Sequence, residues 1–376
     1  MARWSVPLTD VVISDDDIEA VTDVYRSGWL SMGPETAAFE QEFAAYTGSR
    51  HAVAVSSCTA ALHLVCTASG LGAGDEVIVP SLTFVATVNA VAYTGARPVF
   101  ADVAGPERPW LSAEACELAI GPRTKAIVAM DYGGHAGDLE ALRSLTDRHG
   151  LILIEDAAHA AGSRLHGRHL GTFGDAGAFS FFSNKNLGIG EGGMLVTDDD
   201  ALAARARLLR SHGMTTLSWD RFRGHASTYD VVALGFNYRL DEPRAALARR
   251  RLGRLDDENR RRALVAAGYL EALADLPLAA PLTPREGLTP SHHLFTIVLE
   301  PGADRDAFRA HLARRGIETS VHYPPAHRFS IYSDGAPARL PETDGYASRS
   351  VTLPMFAHLQ GRQLDEVASA VREALD

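Results

Sequence analysis

Apolar residues follow two rhythms along this chain. Short runs rich in β-branched or aromatic side chains occupy residues 52–55, 76–80, 98–102, 125–130, 151–156, 176–182 and 194–197. Stretches with apolar positions at helical spacing separate several of them, for example 83–94 and 139–149, and strand alternating with helix predicts an α/β fold built on a largely parallel sheet. Upstream, 15–26 and 36–46 predict helices, the first behind an acidic turn that suits a helix start. Downstream, a helix follows Ala201, an arginine-rich helix broken at Gly253 spans 243–270, and a proline-rich stretch, 277–290, leads to a strand at 293–299 and helices at 305–315 and 361–375. Functional residues in such folds sit on loops at the carboxyl ends of strands, where Asp131, Asp156 and Lys185 fall.

Size and charge narrow this picture. A chain of 376 residues exceeds one ordinary core, which predicts a large domain over 1–250 and a smaller C-terminal α/β domain over 251–376. The net charge of −11 speaks against a general nucleic-acid binder and leaves room for a local basic pocket. The arginine run on the 243–270 helix is therefore expected to be a solvated face. Three cysteines without CxxC spacing indicate neither a disulfide framework nor a zinc site. The start of the chain lacks a signal-peptide pattern and no apolar run reaches membrane length, so a cytoplasmic protein is expected, with no membrane partner.

The richest chemistry lies between Leu151 and Thr197, where a strand ends in Glu155 and Asp156 and a second delivers Lys185 into a glycine-rich loop. Gly188 to Gly193 formally matches GxGxxG, but it enters a strand and does not open a helix, which rejects a dinucleotide fingerprint. Its glycines are expected to let backbone turn or approach closely beside Lys185. His292, His293, His322 and His327 lack a recognised metal-ligand spacing, and no GxSxG elbow is present. Pyridoxal phosphate makes three demands that this chain meets together. Its aldehyde needs a lysine amine, for which Lys185 is the candidate; its ring nitrogen needs a carboxylate, Asp156; its phosphate needs hydroxyls and helix-start amides, which Cys58, Thr59 and Ser180 offer. Each also has an ordinary alternative, a surface lysine for Lys185 and a helix cap for Asp156 and for the Ser56–Thr59 stretch.

The segments GWLSMGPETAAFEQEFAAYTGSRHAVAVSSCTAALHL, PSLTFVATVNAVAYTGARPVFADV, EDAAHAAGS, FSFFSNKNLGIGEGGMLVT, GFNYRLDEPRAAL and, more loosely, VHYPPAH resemble the DegT/StrS-type sugar aminotransferases, a family of fold type I pyridoxal-phosphate enzymes. The resemblance covers nearly the whole chain. It implies an α/β/α sandwich with a smaller C-terminal domain, Lys185 as the Schiff-base lysine and Asp156 at the ring nitrogen. Phe84 would stack on the ring, His159 would approach the ring hydroxyl, and Cys58, Thr59 and Ser180 would hold the phosphate. Asn237 would reach the phosphate of a neighbouring subunit, making the working unit a homodimer with shared sites. Arg239, Tyr323 and His327 match positions near the substrate. Cys58 stands where the family often has glycine or serine, which leaves a backbone contact intact and puts a side-chain contact in question.

The activity implied is transfer of an amino group from L-glutamate, released as 2-oxoglutarate, to a nucleotide-linked keto-deoxysugar, foremost a dTDP-4-keto-6-deoxyhexose. Arg221, Arg223 and Arg239 are candidates for its diphosphate. A 3-keto sugar or cyclitol ketone is the nearest alternative. A sugar dehydratase of the same scaffold would carry histidine in place of Lys185, and a non-catalytic homologue would have little use for the intact lysine and aspartate.

Overall fold

The computed structural model describes residues 4–216, 219, 222–224, 228–283, 285–333 and 338–375. Seven strands form the central sheet: β1 (His51–Val55), β2 (Glu76–Pro80), β3 (Arg97–Ala101), β4 (Thr124–Met130), β5 (Ile152–Asp156), β6 (Ala176–Ser180) and β7 (Gly193–Thr197). Their order is β1-β7-β6-β5-β4-β2-β3, parallel from β6 through β3, with β7 antiparallel to both of its neighbours. The seven runs of the sequence pattern are these seven strands, displaced by a residue or two at their ends. The antiparallel β7 follows from chain length, because the Lys185 loop returns directly from β6 with no crossover helix.

Alternation along the strands divides the large core in two. Leu153 and Phe179 face a cluster with Phe39, Phe43, Leu142 and Ala245, whereas Ile154 and Ala178 face one with Leu64, Val88 and Leu209. Helix α1 (Asp15–Ser27) joins Ala246 in a separate small cluster through Ala20 and Val24, and α2 (Pro34–Thr47) belongs to the first side; α3 (Cys58–Ala68) and α4 (Val85–Ala92) belong to the second. A third cluster joins Tyr269, Phe295, Leu312, Val351 and Val371. It lies around a smaller sheet in which Phe295–Leu299 pairs antiparallel with Leu278–Ala279 and with Ser350–Leu353. Val6 enters this cluster too, paired with Ile317, so the C-terminal body takes a segment from the opposite end of the chain.

The arginine-rich helix is two helices, Glu242–Leu252 and Leu255–Ala272, broken at Gly253 and Arg254 as expected. Its charge run departs from the expected solvated face. Arg249 bridges Glu35 and Glu42, each at 2.7 Å, and the buried Arg251 bonds Asp17 at 3.0 Å and the Gly188 carbonyl. Arg262 is also buried, donating to the Met355 carbonyl at 3.1 Å. These side chains find partners on elements distant in sequence, which a one-helix pattern cannot display. Glu242 is used similarly. Its buried carboxylate accepts from the amides of Gly33, Glu35 and Thr36 and from the Thr36 hydroxyl at 2.7–2.9 Å, satisfying the start of α2, which has no side-chain cap of its own.

Candidate active site

A cavity of about 420 Å³ opens at the carboxyl ends of β4, β5 and β6. The start of α3 and the residue before α4 supply one side of it, the Lys185 loop another, and His293, His322 and Tyr323 from beyond residue 250 close it. Period-two geometry separates the two carboxylates that end β5. Glu155 accepts from the Gly171 and Gly174 amides at 2.8 and 2.6 Å and is sealed from solvent. Asp156 lines the cavity, accepting from the Thr87 hydroxyl at 2.6 Å and the Ala158 amide at 3.1 Å. Burial raises its pKa against the pull of Thr87, Ala158 and Lys185. Asp131, at the end of β4, lies outside the lining. It is fully buried with both carboxyl oxygens unpartnered, and burial together with Glu155 and Asp156 drives its pKa well up, so it is held neutral.

Lys185 is carried by a tight loop whose own amide donates to Phe182 O at 2.8 Å. Glycine is required twice between this lysine and β7. A Cβ on Gly188 would lie 2.4 Å from Ser183 O, and one on Gly193 would lie 2.5 Å from Cys58 N. The second packs the returning strand against the start of α3, so the close approach serves backbone more than ligand. Desolvation lowers the Lys185 amine to about 8, partly offset by the Asp156 carboxylate. Nζ lies 3.3 Å from His293 Nε2.

The sequence-expected residues divide into two groups. Cys58, Thr59, Phe84, Asp156, His159, Ser180, Lys185 and Tyr323 all line the one cavity. Cys58 and Thr59 open α3 behind the Ser57 cap, so their amides have no helical acceptor. The Cys58 thiol is pushed well up by burial and by Asp156, and stays protonated. Phe84 is 55% exposed and presents its ring to the cavity, 5.8 Å from that of Tyr323. His159 Nδ1 accepts from the Gly133 amide at 3.1 Å, which leaves the ring proton on Nε2, 2.9 Å from the Tyr323 hydroxyl. Burial, Lys185 and His322 hold this imidazole neutral.

Asn237, Arg239 and His327 lie outside the lining. Asn237 is exposed, its backbone bridged to Ser211. Arg239 is half-buried, pairs through its backbone with Val55, and has its pKa lowered by burial and by Arg210. His327, placed near the substrate by the sequence, is fully buried elsewhere. Its Nδ1 lies 2.6 Å from the Ser81 hydroxyl and its Nε2 3.5 Å from Asp344, where it fastens a loop to the end of β2. Arg223 stacks on Trp219, 5.9 Å from the ring centroid, and Arg221 lies outside the described residues.

Sequence reasoning missed Thr87, Asn186, His293 and His322 as site residues. Thr87 follows Thr83 at one helical turn, and the two hydroxyls are 2.6 Å apart, a spacing that pointed at Asp156 only once β5 was in place. Among the described residues no group of metal-binding side chains gathers. Of the four histidines considered as ligands, His293 and His322 enter the cavity, while His292 packs against His135, ring centroids 5.6 Å apart.

The donor set fits pyridoxal phosphate. A lysine amine and a carboxylate share one cavity of ligand size, an aromatic ring lies free at its edge, α3 offers unpaired amides, and the buried Asn184 Oδ1 on the cavity wall has no partner.

Comparison with known proteins agrees. The DegT/DnrJ/EryC1/StrS aminotransferase family matches residues 11–372. The spore coat polysaccharide biosynthesis protein SpsC of Bacillus subtilis (strain 168) is 40% identical over 98% of this chain and 96% of its own length. Among solved structures, S. venezuelae DesV in complex with a ketimine intermediate is 42% identical at a TM-score of 0.88, covering 96% of this chain and 94% of that one. The PMP-form of the putative sugar aminotransferase Spr1654 from Streptococcus pneumoniae is 26% identical at a TM-score of 0.93, covering 98% and 99%. The chain belongs to the DegT/DnrJ/EryC1/StrS family and is a pyridoxal-phosphate-dependent sugar aminotransferase of fold type I.

Proposed function

We propose that the enzyme moves an amino group from L-glutamate to a nucleotide-linked keto-deoxysugar, foremost a dTDP-4-keto-6-deoxyhexose, in the cytoplasm. The observation that carries the chemistry is the pairing of Lys185 with Asp156 across one cavity. When bound, pyridoxal phosphate supplies an electrophilic aldehyde and a ring that accepts electrons. Asp156 would hold the proton on the ring nitrogen. Lys185 Nζ, lowered to about 8, can give and take a proton near neutral pH, as a shuttle between two carbons requires. Phe84 would support one face of the ring, His159 and Tyr323 would meet its hydroxyl edge, and Ser180 with the amides of Cys58 and Thr59 would receive the phosphate.

In this reading residues 1–250 hold the cofactor and 251–376 complete the substrate side through His293, His322 and Tyr323. Among the described lining residues Lys185 is the only lysine or arginine, although both substrates are anionic. Further positive charge therefore has to arrive from outside this lining, from Arg239, Arg221 or Arg223. The exposure of Asn237 agrees with its serving the phosphate of a second subunit, in a homodimer with shared sites. The biosynthetic names of relatives such as SpsC support a sugar destined for a glycan or natural product.

The test is a panel of dTDP- and UDP-linked 4-keto and 3-keto sugars and a cyclitol ketone, each incubated with glutamate. Product mass and NMR assignment of the aminated carbon should show the dTDP-4-keto-6-deoxyhexose converted with matching release of 2-oxoglutarate. Turnover of the cyclitol ketone alone would overturn the substrate assignment.

A further inference from the structure

The groups behind Lys185 form a chain of hydrogen bonds with one possible direction. Asn259 Nδ2 lies 3.0 Å from the Ala161 carbonyl, which can only accept, so Asn259 turns its Oδ1 towards Asn186. Asn186 Nδ2 donates to that Oδ1 at 2.7 Å and to the Ser291 carbonyl at 2.8 Å, which commits both amide hydrogens. Asn186 Oδ1 is left facing His293 Nδ1 at 3.0 Å. An amide oxygen only accepts, so Nδ1 carries the imidazole proton and Nε2 presents its lone pair to Lys185 Nζ at 3.3 Å. Two backbone carbonyls thus fix a tautomer at the reacting amine.

We infer that His293 is a positioning residue for Lys185: its Nε2, aimed by Asn186 and Asn259, accepts one N–H of the free lysine amine and sets where that nitrogen points. This rests on the reading of Lys185 as the cofactor lysine and extends it to a residue 108 positions away in the chain. A lysine that shuttles a proton must direct its lone pair at carbon, so an acceptor that occupies one of its own hydrogens restricts its rotation. The same bond stabilises the ammonium once the proton has been taken. His293 is 4% exposed and burial lowers its pKa well below the ordinary value, so it accepts without competing for the proton. His159 packs against it, ring centroids 4.4 Å apart, and is likewise neutral; His322 is lowered to about 4, and the positive charges of Lys185 and Arg262 further disfavour a protonated His293.

The experiment uses cofactor-loaded enzyme in its pyridoxamine phosphate form, where the lysine amine is free. Labelling of Lys185 by trinitrobenzenesulfonate is followed against pH by mass spectrometry of its peptide. His293→Leu should lower the labelling midpoint by about one pH unit, a tenfold change in acidity, because the ammonium loses its acceptor. His293→Gln, which can offer an amide oxygen, should stay within about 0.3 of the wild-type midpoint on that scale. A His293→Leu midpoint equal to or above the wild type overturns the inference. Nitrogen-15 NMR of histidine-labelled wild-type enzyme provides a reading that needs no variant: His293 protonated on Nδ1 supports the inference, and protonation on Nε2 overturns it. Borohydride trapping of cofactor on wild-type Lys185 separates the two levels. Its failure removes the lysine assignment itself, whereas trapping with an unmoved midpoint removes only the role of His293.

Discussion

The two faces of the sheet at the end of β5 use neighbouring carboxylates in opposite ways. On the packed face Glu155 receives backbone amides of the 171–174 turn, foremost those of Gly171 and Gly174, loses all contact with solvent, and closes that turn. On the cavity face Asp156 receives one hydroxyl and one amide and lines the same cavity as Lys185. One residue of separation converts a fold-holding group into a cavity-facing one. What distinguishes them is the face on which each ends, since both are almost wholly buried and each of their oxygens accepts a hydrogen bond, but only Asp156 lines the cavity.

Substitutions can sharpen or break this contrast. Lys185→Ala should reduce transamination by roughly 10⁴-fold, through loss of the proton shuttle, and abolish borohydride-trapped cofactor; retained trapping at another lysine would move the site. Asp156→Asn should cost about 10³-fold in kcat, with an altered cofactor absorption spectrum and little change in thermal unfolding. Thr87→Val removes one donor to Asp156 and should cost about tenfold in kcat, the size of a single hydrogen bond to a charged group.

Glu155→Gln should leave kcat within about twofold, since surroundings away from the chemistry contribute little to the barrier, while lowering unfolding free energy by about 1–3 kcal/mol through a mispaired buried amide. Steady-state kinetics beside denaturant unfolding separates the two classes. A large kcat loss in Glu155→Gln with unchanged stability would erase the contrast.

The pH response of Glu155 gives a finer measure. Burial, opposed by the amides of Gly174, Gly171 and Phe173, raises its pKa from 4.5 to about 7. Between these values the folded chain holds a proton at this site that the unfolded chain has released. Stability from this group therefore falls as pH rises from 4.5 to about 7. Wild type should accordingly lose stability relative to Glu155→Gln across that window, measured by urea unfolding at several pH values. A constant difference would show that Glu155 is ionised throughout.

Much of the scaffold was legible because each strand of the central sheet is a local signal, a short apolar run bounded by turns. The Lys185 and Asp156 positions were legible for a related reason, since residues at strand ends project into loops. Other features depended on partners remote in sequence. The hairpin at 103–111 and the strand Ser350–Leu353 carry little pattern of their own. Arg251 looked like part of a solvated charge run until Asp17 and the Gly188 carbonyl were brought to it. The contact between His327 and Ser81, 246 positions apart, left no mark in the motif that carries the histidine.

By itself the sequence determined the alternation of strand and helix, the glycine-dependent turns around the lysine loop, and the placing of a lysine, a carboxylate and a hydroxyl-bearing helix start at the ends of strands. Those properties depend on spacing within a few residues, where backbone geometry dominates. Tertiary structure alone decided which carboxylate at the end of β5 faces the cavity, which histidines enter it, and how Asn259 and Asn186 orient His293 against Lys185. Such choices are made by hydrogen-bond complementarity among groups tens to hundreds of residues apart, and no one-dimensional pattern records which donor will meet which acceptor.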